Sequence, residues 1–260
     1  MKTYGFISLS GGQGKTTTAF LLGLHLAKRH ASVLWVDADP QHNLSLFAGI
    51  KVEENRTLEQ VLRGRQEPRT CIYPTAWEGL YILPSTDPLA GVNEFLASTG
   101  NASRILARRL KSVANAFDFC LIDAPPSRSQ LVIAAAGASE QIIIPFELTV
   151  KGTNCLINTI NFLKDLADMD AWSGQIMGVL PFRDKWFGFN QLIDSRENLE
   201  AVRQFLNGTI PIFPAILESA QFRTAIRQGQ TLSELGHPKL DAPFTAILNS
   251  LQFPQYAVPL

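Results

Sequence analysis

The chain has 260 residues, 46% of them hydrophobic and 18% charged. That apolar content builds a large core and excludes a disordered or collagen-like chain. Lys and Arg total 23 against 23 Asp and Glu, so composition alone does not announce a nucleic-acid binder, and any DNA contact must come from a local patch, for instance one assembled from two subunits.

In chain order, 4–9 reads as a strand and 16–28 as the helix after a glycine loop. Further strands are expected at 32–36 and 80–83. A helix at 102–115 carries Ile105, Leu106, Leu110 and Val113 on one stripe. Strands at 119–122 and 141–146 follow. Residues 152–168 place Leu156, Ile160, Leu163 and Leu166 at helical spacing. A strand at 175–180, a helix at 191–206, a strand at 212–216 and a helix at 241–252 complete the set. Several strands are continuously apolar, as parallel strands covered on both faces require. The alternation predicts one doubly wound, mostly parallel α/β domain over 1–260, with ligand beyond the carboxyl ends of its strands.

No apolar run approaches the roughly 20 residues of a transmembrane helix. The start, MKTYGFISL, lacks a cleavage-site pattern and reads as a strand, not a secretory signal, so a cytoplasmic protein is expected. Cys71, Cys120 and Cys155 show no metal-binding spacing and are expected as buried, reduced thiols.

The chemistry starts in FISLSGGQGKTTTA, residues 6–19. A buried strand turns through glycines into a helix, which is the setting of a phosphate-binding loop. Gly11, Gly12 and Gly14 let the backbone approach a phosphate, and Gln13, Lys15, Thr16 and Thr17 complete the nucleotide-binding set. Lys15 would reach the β- and γ-phosphates of ATP, and the Thr16 hydroxyl would ligate Mg²⁺. Leu9 stands where the common GxxxxGK[ST] pattern has its first glycine, so the fit is to a variant, xGGxGK[ST]TT.

Phosphoryl chemistry also needs carboxylates for the metal and for the attacking water. Two strand ends supply them: VLWVDADPQHN, with Asp37 and Asp39, and FDFCLIDAPPS, with Asp123. An aspartate after a strand also caps turns, but three of them behind such a loop form a set. Asp123 is assigned to the magnesium shell, Asp39 to the attacking water, and Asp37 to the metal or the loop.

Together these motifs resemble the deviant-Walker ATPases of the ParA/MinD family. GGQGKTTTA matches the loop, VDADPQHN the second motif and LIDAPPS the third. IIIPFELTVKG and FRTAIRQGQ resemble the family's last third more loosely, so the resemblance spans most of the chain. It implies a sandwich homodimer formed on ATP, non-specific binding of nucleoid DNA in that state, and a partner that stimulates hydrolysis. DADPQ favours the ParA side. The C-terminal LNSLQFPQYAVPL carries no basic amphipathic face, so no membrane partner is expected.

One residue departs from the family pattern. Ser10 stands where these ATPases carry a lysine that crosses the dimer interface to the partner's nucleotide. A serine here resembles the carboxysome-distribution branch, which implies carboxysomes as cargo and an adaptor of the McdB kind. Lys151, after QIIIPFELTV and before Gly152, is placed to substitute for that lysine; Arg128 beside Asp123 is a second possibility, and no substitute is a third. Arg223 and Arg227 share a helical face. With Arg183 and Lys185 they are the expected DNA contacts, doubled in a dimer. The residues that contact adenine stay open, with Phe182, Arg183 and 211–216 at suitable strand ends. DKWFGFN at 184–190 reads as an aromatic loop, serving either local packing or a partner. Plasmid or chromosome partition, a metabolic ATP-dependent ligase or kinase, and a scaffold that barely hydrolyses ATP are the competing readings.

Overall fold

The computed structural model describes residues 1–188 and 190–251. The elements are β1 (Lys2–Phe6), α1 (Lys15–Ala27), β2 (Val33–Asp37), α2 (Asn43–Ala48), α3 (Leu58–Leu62), α4 (Pro68–Cys71), β3 (Tyr73–Pro74), β4 (Leu80–Leu83), α5 (Val92–Thr99) and α6 (Ala102–Leu110). They continue with β5 (Phe119–Asp123), α7 (Gln130–Ala138), β6 (Gln141–Glu147), α8 (Val150–Asp168), β7 (Gln175–Asp184), β8 (Trp186–Phe187), β9 (Asn190–Gln191), α9 (Ile193–Leu206), β10 (Ile216–Leu217), α10 (Gln221–Gln228) and α11 (Ala242–Ser250).

Every residue of β2 and β5 is buried, because helices cover the sheet on both faces. Among the described residues, eight strands form one sheet in the order β10-β7-β6-β1-β5-β2-β4-β3. Their pairings are parallel except β3 with β4. This is the doubly wound, mostly parallel sheet expected. One apolar core holds residues of α3 and α5 to α9; the other holds residues of α1, α2, α10 and α11.

Register places the site. Asp123 pairs with Phe6 on one side and with Asp37 on the other. Three central strands therefore end level, and the loops after them leave from one edge.

The expected strand at 212–216 shrinks to a bridge between Ile212 and Val179 and the two-residue β10. Pro211 and Pro214 remove the donors a longer ladder would need. β1 is two residues earlier at its start and leaves the ladder after Phe6, where the loop begins. The helix expected at 102–115 ends as α6 at Leu110 and tightens into a 3₁₀ segment, Lys111–Ala116. DKWFGFN forms part of the antiparallel β8–β9 pair, with Phe187 81% exposed. The helix expected at 241–252 ends as α11 at Ser250, with Leu251 extended; Phe189 and the C-terminal reading from 252 onward lie outside the described residues. All three cysteines are free and buried. Among the described residues, no helix is long and apolar enough to cross a membrane.

Candidate active site

The loop between β1 and α1 turns on two glycines in the left-handed region, Gly12 at φ 78° and Gly14 at φ 93°. A side chain at Gly14 would put its Cβ 2.6 Å from the Phe182 ring, while Gly11 and Gly12 face open space. The loop thus packs on one side and presents bare backbone on the other. That bare side opens on a cavity of about 480 Å³, walled by residues 11–17, Asp39, Pro126, Phe182 and Arg183. The Thr18 hydroxyl donates to the Gly14 carbonyl at 2.7 Å and ties the loop to α1. α1 is itself fixed: the Trp35 indole donates to the Ala19 carbonyl at 3.0 Å and stacks on Phe20.

Lys15 is 6% exposed, and its Nζ donates to the Ser10 carbonyl at 3.1 Å. Burial lowers its pKa, while the charges of Asp123, Asp39 and Cys155 oppose that shift. An ammonium with one neutral acceptor in a desolvated cleft is matched to an anionic ligand.

Asp123 is fully buried, and neither carboxylate oxygen has a hydrogen-bond partner. Burial raises its pKa to about 8, with the negative charge of Asp37 adding to the rise. The Thr16 hydroxyl favours the ionised form without closing a hydrogen bond at this geometry. Two orphaned carboxyl oxygens near a threonine hydroxyl, at the wall of a phosphate cavity, suit a hard divalent cation, whose charge would favour the ionised form that burial opposes.

Asp37 is differently placed. Its Oδ2 accepts from the Ser45 hydroxyl at 2.7 Å and the Ser45 amide at 2.8 Å, and its Oδ1 accepts from the Asp39 amide at 3.3 Å. Burial still raises its pKa to about 6. Of the two roles read from sequence, these bonds favour holding the 38–45 loop. Asp39 lines the cavity, with Oδ1 accepting from the Gln41 amide at 3.0 Å.

Lys151 is exposed in the first turn of α8, behind Thr149, whose hydroxyl accepts from the Gly152 amide at 3.1 Å. With Ser10, Leu9 and Asn154 it lines a hollow of about 620 Å³. Arg128 lies over the Phe162 ring. Arg183 has φ 56°, pairs with Glu147 at 3.4 Å and walls the phosphate cavity. Arg183 and Phe182 also wall a neighbouring hollow of about 320 Å³, with Thr17, Glu218 and Arg223. Arg227 is exposed on α10, and Lys185 is half-buried. The structure therefore brings Arg183 and Arg223 together beside the phosphate loop. Sequence reading missed the side-chain bonds of Gln13 and Ser45, because nothing local marks a polar residue that pairs with distant backbone.

The family described as an AAA domain matches residues 1–170. The chain is 44% identical to the maintenance of carboxysome distribution protein A of Gloeothece citriformis, over 98% of both chains. It is similar to an aspartate-to-alanine variant of Cyanothece McdA solved with ATP, at 44% identity and TM-score 0.94, covering 99% of each chain. It also resembles cobyrinic acid a,c-diamide synthase of Mycobacterium smegmatis, solved with an ATP analogue and magnesium, at 26% identity and TM-score 0.72, covering 88% of this chain and 92% of that one. Identity over nearly the whole length, joined to this phosphate loop, makes the chain a member of the ParA family of P-loop ATPases, on the branch that contains McdA.

Proposed function

We propose that this ATPase is a nucleotide switch that distributes carboxysomes over the nucleoid of the cell. Two copies close on ATP, the dimer binds DNA without sequence preference, and an adaptor protein stimulates hydrolysis and release. The observation that carries this reading is the 44% identity to a carboxysome-distribution protein along 98% of both lengths.

The site supports the chemistry. The amides of the 11–17 loop and the start of α1 cradle the phosphates, and Lys15 meets their charge. Magnesium, when bound, neutralises charge on the β- and γ-phosphates, and Thr16 and Asp123 would hold it. Asp39 orients the attacking water from the cavity wall. Lys151 supplies the cation that Ser10 lacks, reaching the partner's nucleotide across the dimer face. The hollow beside Phe182, Arg183 and Arg223 takes the base. In this reading Arg183 serves the nucleotide, while Lys185, Arg223 and Arg227 remain the DNA contacts, exposed or half-exposed.

The test is binding of random-sequence duplex DNA with Mg·ATP against Mg·ADP at near-physiological salt. The proposal expects binding with ATP alone, weakening steeply with salt. Equal binding in both states, or none, contradicts it.

A further inference from the structure

Gln13 is the middle residue of the phosphate loop, yet its side chain does not face the phosphates. It is 2% exposed. Its Oε1 accepts from the Glu147 amide at 2.8 Å, and its Nε2 donates to the Gly11 carbonyl at 3.2 Å. One primary amide thus spans from the loop to the last residue of β6. A primary amide supplies both functions at this length; a carboxylate only accepts and a thioether does neither well.

Glu147 is a junction. Its carbonyl accepts from the Thr149 amide at 2.8 Å. A Cβ on Gly152 would stand 2.0 Å from that carbonyl, so the first turn of α8 packs directly on this peptide. Its carboxylate pairs with Arg183 on the cavity wall. β1 and β6 are joined in register only from Tyr4 to Phe6, with one more bond from the Ile7 amide to Ile143. Beyond that, Ser8 and Leu9 reach the body of α8 at Cys155 and Thr159. The later half of the loop reaches the entrance of α8 through the Gln13 amide.

We propose that Gln13 is a positioning residue that couples nucleotide occupancy of the loop to the entrance of α8, where Lys151 stands. The proposal rests on reading 11–17 as the phosphate site, and does not require that Lys151 act in trans. When phosphate fixes the backbone on either side of Gln13, its side chain fixes the Glu147 peptide, and with it the first turn of α8.

Hydrogen exchange of the full chain with and without saturating Mg·ADP tests this, because ADP reports on the loop without a closed dimer. In the parent, exchange over 147–153 is expected to slow by at least about fivefold, alongside the loop itself. In Gln13→Met the loop still slows, while 147–153 changes by less than about twofold. Gln13→Asn, too short for both bonds, behaves like Gln13→Met and serves if that variant does not fold. Gln13→Glu keeps the acceptor and retains most of the protection. Parent-like protection of 147–153 in the Met or Asn variant, or none in the parent, overturns the proposal. Lys151→Ala keeps the parent pattern here. A Lys151→Ala protein that hydrolysed normally would remove the trans-cation reading and leave this one standing.

Discussion

Ser10 and Lys151 line one hollow, although 140 positions separate them in the chain. Ser10 ends the approach to the phosphate loop, and Lys151 sits in the first turn of α8. A lysine at a helix N-terminus opposes the helix dipole, so α8 gains nothing locally from it. Glu147 already pairs with Arg183, and no ion pair joins Lys151 to a carboxylate among the described residues. A cation held at that rim, beside the small side chain of Ser10, has room to reach outward.

The nucleotide-free protein is expected to lose stability as pH rises. Burial lifts Asp123 to about 8 and Asp37 to about 6 from ordinary values near 3.8. A carboxyl with a higher pKa folded than unfolded binds its proton in the folded state across the interval between them. Its contribution is therefore most favourable below about pH 4 and is lost as pH climbs toward 8. Thermal melts at pH 6 and pH 8.5 should differ by about 6–12 °C, the lower Tm at pH 8.5. Asp123→Asn should remove most of that difference. A parent Tm that is flat or rising over this range contradicts the assignment.

Asp39→Ala should separate binding from chemistry. Asp39 faces the cavity but is not needed to hold the loop backbone, which Gly14, Thr18 and Gln13 secure. Single-turnover hydrolysis is expected to fall by about 10²- to 10⁴-fold, with ATP affinity within about threefold of the parent. Loss of binding along with turnover would place Asp39 in the phosphate cradle instead.

Ser45→Ala tests the support of the aspartate loop. The Ser45 hydroxyl donates to Asp37 and accepts from the Ser85 amide at 3.0 Å. Its removal leaves a buried amide unpaired and withdraws one donor from a buried carboxylate. The expected cost is about 1–3 kcal/mol, or roughly 3–10 °C in Tm. Thermal melts of parent and variant at one pH measure it, and an unchanged Tm would show that Asp37 does not depend on this bond.

The parts of the site legible in sequence were the local ones. The phosphate loop follows β1, and Asp37 and Asp123 end the apolar strands β2 and β5 with Asp39 just beyond, so motif and strand end coincide. The helices α6 and α8 showed an apolar stripe at helical spacing, and α1 was legible because it follows the glycine loop. The segment 43–99 did not reveal α2 to α5, because helices of four to eight residues complete too few turns to show one. The two-residue strands β3, β8, β9 and β10 carry no alternation either. Arg183 read both as a DNA contact and as a candidate for the adenine site at a strand end. It reached the cavity wall because β7 runs four residues past its expected end and takes up φ 56° there. Gln13 read only as part of the nucleotide-binding loop; the fold brings the Glu147 amide to its side chain.

The most direct measurement is steady-state ATP hydrolysis by the parent, Lys151→Ala and the double variant Ser10→Lys with Lys151→Ala. Lys151→Ala is expected to lower kcat by at least about 10²-fold, in the direction of losing a cation supplied in trans, and Ser10→Lys to restore a large part of it. A Lys151→Ala protein that hydrolyses ATP like the parent would rule out Lys151 as the cation that stands in for the one missing at Ser10.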